Sequence, residues 1–192
     1  MKICVIGAPS TGKSSFARSL SAEMMKQGMS CELVQEYGST YVEQFGAPAH
    51  AWEQLAISVG QYLDEQKCAR EYMVTDGATF ATYVYAQRLL PKAVSDKEWP
   101  KYRHLLDVLR IMARRSLESY DLIFLLTHVF TPSADGVRLK DHLSKKVCQQ
   151  INRDLESYLR SERIGYHRLK ANATDGVAAA LKVIRQQMAV RA

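Results

Sequence analysis

The chain is poor in the residues that staple or punctuate a fold. Of its 192 residues, only four are cysteine and five are proline. Cys4, Cys31, Cys68 and Cys148 lie far apart and form no C-x-x-C pair. That spacing argues against a disulfide framework or a cysteine metal site, and for free buried thiols in a reducing compartment. The five histidines are scattered, with no H-E-x-x-H. No apolar run is long enough to span a bilayer, so no membrane partner is expected. The first residues read as a strand entering a glycine-containing loop, not as a secretory leader. No repeat, low-complexity tract or linker divides the chain. With 47% hydrophobic residues it is expected to form one domain over residues 1–192.

Charge is present but uneven. The net value is +6. Residues 1–98 hold 9 Lys/Arg against 11 Asp/Glu, residues 99–170 hold 14 against 8, and residues 171–192 hold 3 against 1. The basic excess therefore sits in the second half. Such asymmetry fits an anionic partner, with nucleic acid the obvious one, or a solvated basic surface.

The most informative stretch is Gly7-Ala8-Pro9-Ser10-Thr11-Gly12-Lys13-Ser14, which reads G-x-x-x-x-G-K-S, the P-loop signature. An apolar strand, Lys2–Ile6, precedes it, and a helical pattern from Lys13 to about Lys26 follows. In that context backbone N–H groups turn inward and the helix N-terminus adds a positive dipole end. The loop from Gly7 to Ser14, with Ser15, is assigned to ATP. Lys13 is expected to reach the β- and γ-phosphates, and Ser14 to ligate Mg²⁺.

Four more strands are expected. Cys31–Gln35 alternates, Tyr72–Asp76 ends in Gly77, Asp121–Thr127 is a near-continuous apolar run, and Gly165–Leu169 is short. Between them, Ser39-Thr40 is expected to cap a short helix through Phe45. Helices are expected over 50–70, 79–89, 99–119, from Asp141 to about Glu162, and from Thr174-Asp175 to about Met188. In the 50–70 helix the apolar set is Trp52, Leu55, Ala56, Val59, Tyr62 and Leu63. Strands alternating with helices predict an α/β P-loop NTPase fold: a doubly wound, five-stranded parallel sheet with helices on both faces. A small lid is placed at about 130–146.

A P-loop binds phosphate, and what surrounds it decides the chemistry. Asp76 ends the third strand, where strand C-termini face the ligand crevice; it fits a Mg²⁺ ligand or a turn aspartate. Glu36 follows the second strand on the same edge, and fits a general base, an acceptor ligand or a helix cap. Arg138, beside Lys140, Lys145 and Lys146, fits a lid that contributes positive charge to phosphoryl transfer and excludes water. Tyr37, Tyr41 and Phe80 are candidates to stack on a flat acceptor. Arg103, Arg110 and Arg114 share one helix face. A guanine-reading N-K-x-D and an L-S-G-G-Q are absent, which sets aside GTPases and ABC ATPases. AAA-type motors are set aside on length and the lack of sensor residues. A small kinase is what remains.

The stretches Gln35-Glu36-Tyr37-Gly38-Ser39-Thr40-Tyr41-Val42, Thr75-Asp76-Gly77-Ala78-Thr79-Phe80 and Ala134-Asp135-Gly136-Val137-Arg138, in that order after the P-loop, resemble the ribosylnicotinamide-kinase-like P-loop kinases. The resemblance implies ATP and Mg²⁺ roles for Gly12, Lys13, Ser14 and Asp76, an acceptor role for Glu36 and a lid role for Arg138. Nicotinamide riboside kinases of this group tend to carry Trp and Arg where this chain has Gln35 and Ser39, and an acidic residue where it has Thr40. Related phage kinases phosphorylate 5-hydroxymethyluridine within DNA, and the basic second half suits a DNA backbone. The expectation is a cytoplasmic, ATP- and Mg²⁺-dependent kinase, in the host cytoplasm if phage-encoded. Its acceptor is nucleoside-like, best matched by the hydroxymethylated base in DNA, with nicotinamide riboside or another nucleoside as the alternative. A non-catalytic, nucleotide-dependent DNA-binding module is the reading outside the enzyme class.

Overall fold

A computed structural model describes residues 1–46, 48, 50, 52–93, 99–131, 144–170 and 173–191, and all structural statements concern these. They form β1 Lys2–Ile6, α1 Lys13–Lys26, β2 Cys31–Val34, α2 Tyr37–Phe45, α3 Glu53–Lys67 and β3 Tyr72–Asp76. Then come α4 Thr79–Ala93, α5 Trp99–Ser119, β4 Leu122–Leu126, α6 Lys145–Ser161, β5 His167–Leu169 and α7 Ala173–Arg191. No helix among them is long and apolar enough to cross a membrane.

The strands lie in the order β2-β3-β1-β4-β5 and every pairing is parallel. This is the expected α/β P-loop NTPase architecture. The central strands are apolar almost throughout because both faces of the sheet are covered. Strand alternation divides them cleanly. Ile3, Val5, Val74, Leu122, Phe124 and Leu126 face α1 and α7, meeting Phe16, Leu20, Ala180 and Ile184. Cys4, Ile6, Ile123 and Leu125 face α4, α5 and α6, meeting Phe80, Val84, Ala113, Leu117, Ile151, Leu155 and Leu159.

Register places the site. Val5 pairs with Asp76 on one side and Phe124 on the other. Val34 pairs with Thr75. The P-loop that follows β1, Glu36 beyond β2 and Asp76 at the end of β3 thus emerge at one sheet edge. The chain passes from β1 to one side of the sheet and later to the other, so this edge is also where the strand order reverses.

Several expected boundaries move. α2 begins at Tyr37, so Ser39-Thr40 lies inside it and caps nothing. α4 runs to Ala93, beyond the expected end at 89. α6 is capped by Ser144, whose Oγ accepts from the Val147 N–H at 3.3 Å. The expected cap Asp141, most of the lid, and Arg138 and Lys140 within it lie outside the described residues. On α5, Arg110 and Arg114 meet Asp107 at 3.6 Å and Glu162 at 3.2 Å.

The seating of α3 is unusual for an amphipathic helix. Its apolar stripe faces outward: Trp52 just before the helix, then Val59, Tyr62 and Leu63, are exposed, whereas Gln54, Ser58, Gln61 and Glu65 are buried beside Ile57. The reason lies in what α3 packs on. The Thr75 hydroxyl, the Tyr120 hydroxyl and the Tyr37 N–H all face it and all need partners. A buried polar group left unpaired is costly, so the helix turns its hydrogen-bonding stripe inward. Accordingly, Leu63→Ala is expected to change stability by less than about 1 kcal/mol, whereas Phe80→Ala, fully buried, should cost about 3–5 kcal/mol. Urea unfolding followed by circular dichroism measures both, and a large loss at Leu63 would contradict the outward stripe.

Candidate active site

The loop between β1 and α1 is shaped before any ligand is considered. At Gly7 a Cβ would sit 2.6 Å from Thr11 Oγ1 and 3.2 Å from the Leu126 carbonyl, so no larger residue fits. Ser10 (φ 62°) and Gly12 (φ 78°) both adopt left-handed backbone. At a non-glycine residue this costs on the order of 1–3 kcal/mol. The conformation is held by the Thr11 hydroxyl donating to the Ala8 carbonyl (2.8 Å) and by the Phe130 N–H donating to the Ser10 carbonyl (2.8 Å). Left-handed residues within such a loop turn successive N–H groups into one concavity. Gly12 offers α1 no side-chain cap, which leaves the helix N-terminus to an anion. Ala8 is buried, Pro9 and Ser10 half-buried, Ser15 exposed.

Asn152, which was not singled out from the sequence, braces this loop from α6. Its Oδ1 accepts from the Ala8 N–H at 2.8 Å and its Nδ2 donates to the Leu126 carbonyl at 2.8 Å. The available signal was a lone amide inside the apolar stripe Cys148, Ile151, Leu155, Leu159.

The fold brings Lys13, Glu36 and Asp76 together. Lys13 is buried, and its Nζ lies 2.6 Å from Glu36 Oε2. Burial works against its charge, but Glu36, then Asp76 and Tyr85, outweigh burial and hold its pKa above the ordinary lysine value. Glu36 is the residue before α2, yet its side chain makes no cap bond; of its three expected roles, the helix cap is excluded. Gly77 makes the approach feasible. It sits at φ 89°, and a Cβ there would lie 3.2 Å from Glu36 Cγ.

Burial pushes the Asp76 carboxyl above the usual carboxylate range; Lys13 pulls it down, Glu36 raises it, and a hydrogen bond from Ser14 lowers it. Asp76 Oδ1 is buried without a hydrogen-bond partner, as is Thr79 Oγ1. An orphaned carboxylate oxygen beside the Ser14 hydroxyl is the donor set that a P-loop Mg²⁺ ion uses, its other ligands being water and phosphate oxygens. No cluster of three or more His, Cys, Asp or Glu residues suits a metal elsewhere among the described residues.

The aromatic candidates divide. Phe80 is fully buried against Tyr120 and Tyr158, so its ring belongs to the core and not to an acceptor. Tyr41 is buried, tilted against Phe45, with its hydroxyl donating to Glu53 at 3.1 Å. Tyr37 lies over Gly60, whose missing side chain gives its ring room.

The raised Asp76 pKa fixes the sign of a stability effect. The folded protein retains this proton over a pH window in which the unfolded chain has lost it, so stability falls as pH rises through that window. Asp76→Asn is therefore expected to melt higher than wild type at pH 7.5, with the advantage shrinking as pH drops through the raised Asp76 value. Thermal melts across pH check this; a variant that melts lower at pH 7.5 would refute it.

Comparisons with known proteins bear on the fold. Three solved structures of deoxyadenosine kinase from M. mycoides share it. The form with bound dATP gives a TM-score of 0.63 at 15% identity, covering 96% of this chain and 100% of that one. The form with bound dCTP gives 0.67 at 12%, covering 97% and 100%. The form with the products dCMP and a flexible dCDP gives 0.60 at 16%, covering 100% of both. Identities this low carry the fold alone, and nothing in these comparisons singles out the ribosylnicotinamide-kinase-like branch or its phage relatives. No curated protein matches the chain. A family described as an AAA domain matches residues 2–175, although AAA-type motors had been set aside on length. The site is thus built on a P-loop of known lineage, and the chain belongs to that AAA-domain family.

Proposed function

We propose that the protein is an ATP-dependent kinase that transfers a phosphoryl group to a hydroxyl of a nucleoside-like acceptor. The observation that carries this is the 2.6 Å contact between Lys13 of the P-loop and Glu36, beside the partly orphaned carboxylate of Asp76.

In this reading the loop of residues 7–15 holds the phosphates through the N–H groups from Gly12 to Ser15 and through Lys13. Ser14 and Asp76 hold Mg²⁺, which when bound neutralises charge on the β- and γ-phosphates. Lys13 turns to the phosphates and releases Glu36. Glu36 then accepts the proton of the acceptor hydroxyl, whose oxygen bonds to the γ-phosphorus as the bond to the β,γ-bridging oxygen breaks, and ADP leaves. Arg138 is assigned to the transferred group from the lid.

The finer assignment of the acceptor is the 5-hydroxymethyl group of 5-hydroxymethyluridine in DNA, supported by the basic excess in residues 99–170. The second reading, a free nucleoside such as a deoxynucleoside or nicotinamide riboside, is favoured by the fold neighbours, which are named as deoxyadenosine kinase and hold dATP, dCTP and dCMP.

Label transfer from γ-labelled ATP to 5-hydroxymethyluridine-containing DNA, free deoxynucleosides and nicotinamide riboside in parallel separates these readings. Label in none of them, with ATP still bound, would return the chain to a non-catalytic nucleotide-dependent module. Lys13→Ala is expected to abolish transfer. Glu36→Gln should lower kcat by about 10²–10⁴-fold while ATP affinity stays within about threefold of wild type. A fully active Glu36→Gln enzyme would remove the base assignment. Chelation of Mg²⁺ with EDTA should stop transfer, and added Mg²⁺ should restore it.

A further inference from the structure

We propose that Gln61 is a positioning residue that holds Glu36 in its working place; the role rests on the reading of Glu36 as the base. Gln61 lies on the inward stripe of α3 and is buried. Its Oε1 accepts from the Tyr37 N–H at 2.9 Å, and its Nε2 donates to Thr75 Oγ1 at 3.0 Å and to Glu65 Oε1 at 3.3 Å. One amide thus fixes the residue after Glu36 and the residue before Asp76. Thr75 Oγ1 in turn donates to the Gly77 carbonyl at 3.1 Å, on the far side of Asp76.

The orientation of this amide is dictated from behind. Glu65, also buried, is paired with Lys2 Nζ at 3.2 Å and accepts from the Tyr120 hydroxyl at 2.8 Å. A carboxylate in that pairing only accepts hydrogen bonds, so the Gln61 NH₂ must face it and the carbonyl oxygen must face Tyr37. A flipped amide would set oxygen against oxygen at Glu65 and N–H against N–H at Tyr37.

The consequence concerns the start of α2. The first N–H groups of a helix lack partners within it, and the residue before the helix usually supplies one from its own side chain. Glu36 holds that position. Its side chain makes no cap bond and points at Lys13, while Gln61 holds the adjoining Tyr37 N–H, the first of α2, from another helix and so fixes the backbone from which the carboxylate projects. Gly60, the neighbour of Gln61, receives the Tyr37 ring, at a spot where a Cβ would fall 2.2 Å from Tyr37 Cε1. Residues 60 and 61 therefore fix Tyr37 by ring and by backbone together.

Gln61→Met keeps the length of the side chain and removes all three bonds. It is expected to lower kcat by about 10–100-fold, with ATP affinity and the acceptor KM within about twofold of wild type. Added to Glu36→Gln, it should cost little more, since two residues acting through one carboxylate are not additive. Hydrogen exchange by NMR should show the Tyr37 amide losing protection while β1 and β3 keep theirs.

Gln61→Glu is the second variant. It retains an acceptor for Tyr37 but must carry a proton to face Glu65, so its kcat should approach wild type at low pH and fall as pH rises. Wild-type kcat in Gln61→Met overturns the proposal. So does a fully additive double variant, which would mark a general defect, or a raised acceptor KM at unchanged kcat, which would mark direct contact with the acceptor. If Gln61→Met fails to fold, a Gln61→Glu enzyme with no pH-dependent recovery overturns it. The exchange measurement needs no turnover. Should wild type phosphorylate nothing, the kinase reading fails by itself, and retained Tyr37 protection in Gln61→Met would then overturn the role of Gln61 separately.

Discussion

A buried lysine must have a counter-charge, and the architecture of this protein is arranged around that requirement at Lys13. The P-loop places the ammonium where water is scarce. Glu36 meets it at 2.6 Å, and Asp76 adds a second negative group. Two carboxylates around one cation leave an excess of negative charge, and Asp76, whose burial pushes its pKa up, is the less comfortable of the two. An arrangement of this kind is resolved by more positive charge, which the divalent ion of the proposed function would supply. The same three residues that satisfy one another are therefore prepared to exchange partners.

Everything that brings those residues together is backbone placement. Parallel pairing sets Val5 beside Asp76 and Val34 beside Thr75. Gly77, in a conformation only glycine adopts cheaply, lets Glu36 close in from the neighbouring strand. Asn152 then ties the phosphate loop to the end of β4. These are contacts between segments distant in sequence, and each uses a small or amide side chain at a position that packing alone would fill with something larger or apolar.

That distinction explains what could be read from residues alone. Local signals were sufficient for β1, the P-loop and α1, whose observed ends match the expected ones. The apolar run of β4 and the Asp-Gly step after β3 likewise placed the sheet and Asp76. Legibility failed where a long-range partner overrides a local preference. Ser39-Thr40 has the chemistry of a cap, but Gln61 satisfies the first N–H of α2 from α3 and the helix starts earlier. Phe80 stands next in the chain to a functional strand end, yet the turn at Gly77 carries it into the core. The apolar spacing of α3 identified a helix but not the face it buries, because periodicity reports a contrast between two faces and not which of them meets the sheet.

The inverted seating of α3 has a consequence for how the molecule comes together. Two rotations of this helix compete. One would bury Tyr62 and Leu63 by the hydrophobic effect alone. The other buries Gln61 and Glu65, and is favoured only once Thr75, Tyr120 and Lys2 stand where they can receive them. The native rotation of this segment therefore depends on correctly paired β1 and β3, which carry Lys2 and Thr75. In a chain whose strands were misregistered, Gln61 and Glu65 would lose these partners, so strand register and helix rotation are specified together.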